Sequence, residues 1–141
     1  MTRIHDVAQL LVSCWVLSGE DRSIPSSHGL LDRALKAVIA EGAFPDWMRR
    51  ELHFVDSRIG LQSIELPAVR DWAQRSELTA APNPSYETDH IQVGERVARE
   101  LIRRLGVTEE EAKTWGRGLR DAVEEAKQEL RPFGISVIDE D

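Results

Sequence analysis

Cysteine is almost missing from this 141-residue chain; Cys14 stands alone. A single thiol excludes an intramolecular disulfide and a thiolate-rich zinc site. No stretch is apolar enough to cross a bilayer. Lysine is scarce, 3 against 15 arginines, a bias that points to a GC-rich bacterial genome rather than to a function. The phosphate and nucleophile signatures GxxxxGK[ST], GxGxxG and GxSxG do not occur. Histidines 5, 28, 53 and 90 form neither HxxxH nor HExxH, so no metal and no cofactor are expected. Leu11-Val12-Ser13-Cys14 has the form of a bacterial lipoprotein box. The apolar run before it is short, and Asp6 and Gln9 break it, so Cys14 is expected as a buried helix residue beside Trp15.

Positive charge is also in deficit. The net charge is −7, with −2 over residues 1–66 (7 basic, 9 acidic) and −5 over 67–141 (11 basic, 16 acidic). Such a surface disfavours nucleic acid and anionic lipid, so neither is expected as a partner. The length and the apolar content of 41% suit one cytoplasmic domain over 1–141 with a real core. A subdivision into 1–79 and 89–141 at the 80–88 linker, with Pro82, Asn83, Pro84 and Ser85, is the alternative.

The best-signposted stretch is 89–131. Val97, Ala98, Leu101, Ile102 and Leu105 recur every three or four residues and predict a helix from about Asp89 to Leu105. Gly106 stands where a left-handed residue closes a helix, with Val107 as its hydrophobic contact. Thr108-Glu109-Glu110-Glu111 is a capping box, and its carboxylates suit a helix N-terminus. A second helix is then predicted to about Leu130, with Ala112, Trp115, Gly116, Leu119, Ala122, Val123, Ala126 and Leu130 inward. A turn this short implies two helices packed on each other as an αα-hairpin. Gly118 lies off the apolar face, and nothing in the pattern explains it.

Elsewhere the pattern predicts a central, mostly covered helix over about Arg3 to Ser18. A polar loop follows over Gly19 to Ser27, with Ser27 as an N-cap, then a helix from His28 to Glu41 stopped by Gly42. Pro45 and Asp46 open a short helix carrying Trp47 and Leu52. Leu52 to Asp56 and Leu61 to Leu66 flank Ser57-Arg58-Ile59-Gly60 as a β-hairpin, with continued helix as the competing reading. Pro67 suits the first turn of a helix to about Leu78. Phe133 to Ile138 reads as a strand expected to join that hairpin, and the acidic end as a frayed terminus. The fold class is therefore mainly α with a minor β element, an α+β chain with a small antiparallel sheet.

Chemistry is thin. His53 and Asp56 are weak catalytic candidates, because strand geometry points them to opposite faces. His53 and Ser57 would share a face but stand roughly 13 Å apart, beyond the reach of a base for its partner. Leu101 to Trp115 has part of a DNA-binding helix-turn-helix pattern. Ile102 stands where that motif wants a small residue, and Glu109 to Glu111 would face phosphate. The four tryptophans, at 15, 47, 72 and 115, could line a ligand pocket or serve as core. The leading expectation is a non-catalytic protein-interaction or regulatory module. It should self-associate as a homodimer, or bind another protein, through Trp115, Gly116, Leu119 and Val123. The alternatives are a small-molecule-binding protein or enzyme with a tryptophan-lined pocket, then DNA binding.

Overall fold

A computed structural model describes residues 3–26, 29–58, 60–80 and 88–130. Ser27 as an N-cap and the strand over 133–138 lie outside the described residues. Six helices and two pairs of antiparallel strands are present among those described, a mainly α fold with a minor β element.

Helix α1 (Ile4–Leu17) is the axis of the molecule. Val7, Ala8 and every residue from Leu10 to Leu17 are buried. Apolar residues on all sides of a helix require neighbours on all sides, and α1 has them. It packs against α4 (Leu66–Arg75), α5 (Glu95–Arg104) and α6 (Glu109–Leu130), and touches α3 (Asp46–Glu51). Helix α2 (Leu30–Ala40) lies against the other side of α6. One hydrophobic cluster takes residues from both sides of 80–88, among them Leu10, Leu35, Ile91, Leu101 and Leu119.

The caps follow the local sequence. The α5 helix closes with Gly106 at φ 74°. Val107 N–H donates to Ile102 O at 2.9 Å and Gly106 N–H to Arg103 O at 3.1 Å, the two bonds of a Schellman motif. Helix α6 then starts from a capping box: Glu111 N–H donates to Thr108 Oγ1 at 3.1 Å, and Thr108 N–H to Glu111 Oε1 at 3.0 Å. The same closure ends α4 with Glu77 in the left-handed position, φ 64°. Leu78 N–H reaches Ala73 O at 2.9 Å and Glu77 N–H reaches Gln74 O at 3.2 Å. Without a glycine there, the sequence pattern ran that helix on to Leu78.

The β-hairpin is present as β2 (Phe54–Ser57) and β3 (Gly60–Ser63), with Phe54 opposite Ser63 and Ser57 opposite Gly60. A second pair was not legible in the sequence. Strand β1 (Ser23–Pro25) runs antiparallel to β4 (Thr88–His90), with Ile24 opposite Asp89. Ile91 N–H continues it to Arg22 O at 2.7 Å. This corrects two expectations. The stretch before Ser27 is not all loop, and the helix predicted from Asp89 starts at Glu95 because 88–91 is spent on strand pairing.

A further correction concerns the helical hairpin. Helices α5 and α6 follow one another across a short turn but touch little beyond it; each packs on α1 instead. Val97, predicted inward, is 46% exposed. The face of α5 that meets α1 is Ala98, Leu101 and Ile102.

Candidate functional site

His53 and Asp56 are not brought together. Both are exposed, His53 just before β2 and Asp56 on it, where it stands opposite Leu61 in the register. His53 has a different partner. Its Nδ1 lies 2.7 Å from Glu65 Oε2, and its backbone N–H donates to Glu65 Oε1 at 2.6 Å. The hairpin register makes this pair: Ile64 N–H bonds His53 O at 2.9 Å, which sets Glu65 beside the histidine. These contacts clasp the start of β2 to the start of α4 at the surface. Among the described residues, no group of three His, Cys, Asp or Glu is placed to hold a metal.

The four residues expected at an interface between copies are used inside the chain. Leu119 is 0% and Val123 2% exposed. A Cβ on Gly116 would stand 2.1 Å from the Cys14 carbonyl oxygen and 2.5 Å from Ser18 Cβ. That glycine therefore lets α6 lie on the backbone of α1. Trp115 packs on Phe44, ring centroids 5.7 Å apart. The apolar surplus that suggested a second copy is covered within the chain by α1 and α2. Gly118 faces α2, where a Cβ would meet Val38 Cγ1 at an ordinary 3.8 Å.

Each tryptophan has its own neighbour. Trp15 is buried under the Arg120 guanidinium, 4.5 Å from the ring centroid. Arg120 also donates to Ser18 Oγ at 2.8 Å, to Asp21 O at 2.7 Å and to Trp15 O. It thus closes the C-terminal end of α1, where carbonyls lack helical partners. Its burial pulls its pKa below the usual arginine value. Burial pushes the Cys14 thiol up, far from a reactive thiolate.

Trp47 and Trp72 are half-buried and flank the first turn of α1. The Arg3 guanidinium lies 3.9 Å from the Trp47 ring centroid. Arg3 Nε donates to Asp6 Oδ2 at 2.8 Å. Asp6 Oδ1 lies 3.3 Å from His5 Nε2, and the His5 ring stands 5.9 Å from that of Trp72. Trp47, Arg3, Asp6, His5 and Trp72 therefore form one connected surface strip. Sequence periodicity could not reveal it, because three separate helices supply its members.

Three cavities lie among the described residues. One is an apolar cleft of about 20 Å³ between α1, α4 and β1, with Arg70, Thr79 and Asp89 among its lining. That is room for about one water, well short of an organic ligand. Arg70 Nε donates to Asp89 Oδ2 there at 2.9 Å. Two more are open polar grooves of about 340 and 360 Å³ along α6, neither lined by tryptophan. No protein-family model matches the chain, and no curated protein or solved structure is detectably similar to it.

Proposed function

We propose that this chain is a non-catalytic interaction module of the cytoplasm, acting as one domain. Its contact surface is the strip from Trp47 through Arg3, Asp6 and His5 to Trp72, and its first partner is a second copy of itself. The observation that carries this reading is the connected stacking in that strip. Tryptophan and arginine dominate the energetics of protein contacts. Here Arg3 is already held by a ring and a carboxylate, so little side-chain freedom remains to be lost on binding. The strip is also self-complementary, with cationic, anionic and aromatic groups that a two-fold axis could set opposite one another.

Sedimentation from 1 to several hundred micromolar, a range on the order of that separating weak from strong contacts, tests it. We expect concentration-dependent dimerisation that is lost in Arg3→Glu and weakened in Trp72→Ser, with far-UV circular dichroism unchanged. A wild-type chain that stays monomeric throughout overturns self-association. A dimer indifferent to both substitutions overturns the assignment of the strip.

A further inference from the structure

At the opposite end of α1, roughly 21 Å away by its 14 residues at 1.5 Å each, the surface changes sign. A groove of about 340 Å³ opens where α5 and α6 diverge over the end of α1. Its charged lining is Arg22, Arg99, Lys113 and Arg117 against Glu20 and Glu95; with Glu109, which holds Arg99, four cations face three anions, an excess of one positive charge. The whole chain carries −7, so this is a local inversion.

Each group has a definite state of engagement. Arg99 is held by Glu109 and by Glu95, the latter at 3.6 Å. Arg22 Nη1 donates to Val16 O at 2.9 Å. With Arg120 on Trp15 O and Asp21 O, it covers the carbonyls that would otherwise make this end of α1 negative. Lys113 has a through-space attraction to Glu109, and among the described residues no ion pair engages Lys113 or Arg117. Lys113 and Arg117 are four apart on α6, so they repel each other by a few tenths of a kcal/mol. An anion seated between them would relieve that repulsion. The second groove, lined by Glu109, Glu110, Lys113, Thr114 and Arg117, adjoins the first through the same two cations.

We propose that this groove binds a small multivalent oxyanion, with Lys113 and Arg117 as its main ligands and Arg22 at the floor. The size fits: pockets for small molecules start at about 300 Å³. A guanidinium takes a phosphate or a carboxylate by paired N–H donors, and an ammonium adds a point charge. The site does not depend on the aromatic strip and stands if that assignment fails.

The test is a titration of the ¹⁵N-labelled full chain with pyrophosphate, and separately with citrate, at fixed ionic strength. Saturable amide shifts are expected at Gly19, Arg22 and 113–117, with Kd on the order of a millimolar or below. Lys113→Glu/Arg117→Glu should weaken binding by about tenfold or more. Arg96→Glu/Arg104→Glu, which changes the net charge equally on the exposed side of α5, should leave it nearly unchanged. Pyrophosphate alone binding assigns a phosphate-bearing ligand; citrate binding as well assigns anions by charge. Linear shifts matched by sodium chloride, or equal losses in the two double variants, overturn the site.

Discussion

Two glycines on one helix should respond in opposite directions to the same change. Gly116→Ala places a Cβ 2.1 Å from the Cys14 carbonyl oxygen and 2.5 Å from Ser18 Oγ. The nearer obstacle is backbone in the last turn of α1, a helix that α4 and α5 hold from other sides, so α6 must back away by more than about an ångström to restore contact distance. Overpacking of this kind costs about 1–3 kcal/mol, and the higher helix propensity of alanine offsets about 1 kcal/mol. A backbone obstacle belongs at the upper end, so we expect a net loss of about 2 kcal/mol, or a Tm lower by roughly 4–8 °C. Gly118→Ala meets only Val38 Cγ1, at 3.8 Å. It should keep the propensity gain and raise stability by about 1 kcal/mol. Urea denaturation followed by far-UV circular dichroism reads both. A Gly116→Ala chain as stable as wild type, or changes of the same sign at the two sites, would refute the close approach of α6 to α1.

Other outcomes follow from the caps and the turn. Thr108→Ala removes the acceptor for Glu111 N–H and should cost about 1 kcal/mol in denaturant unfolding, with the fold kept. Glu77→Gly should stabilise by up to about 1 kcal/mol, because an L-residue at φ 64° carries a steric penalty that glycine lacks; a lower urea midpoint would count against that strain. The hydrogen bond from Arg99 holds the Glu109 carboxyl below the usual carboxylate range. Because the folded value is depressed, the bond contributes above the ordinary glutamate range and fades as pH falls through the depressed value. Carboxyl NMR titration should show Glu109 returning upward in Arg99→Gln, and an unmoved midpoint would break that link.

Local grammar was legible. Gly106 and Thr108 announced a stop and a start, and the structure uses both as the sequence implies. The 52–66 hairpin was legible from two apolar runs about one turn, and the coverage of α1 from apolar residues on all its sides. What could not be read was who meets whom. Small residues at 112, 116, 122 and 126 signal a close approach, but their spacing does not say whether the approaching helix is α5, α1 or a second copy. The β1–β4 pair escaped because three-residue strands have no periodicity, and their partners lie 65 residues apart in the register Ile24 with Asp89. The clasp of His53 by Glu65 and the strip from Trp47 to Trp72 escaped likewise. Both depend on side chains from separate elements, and no one-dimensional spacing records them.

The central position of α1 has a consequence for synthesis. The ribosome makes this helix before much of its cover: Leu119 and Val123 emerge about a hundred residues after Leu17, a delay of roughly 5–20 s at ordinary elongation rates. Through that interval, the most apolar segment of the nascent chain has only α2, α3 and α4 to lean on. The order of the genetic message thus runs against the order of burial. Leu10, Leu11, Val12 and Trp15 are where a holding chaperone would bind the unfinished chain. Moving the coding sequence for α1 behind that for α6 by circular permutation would shorten the exposure.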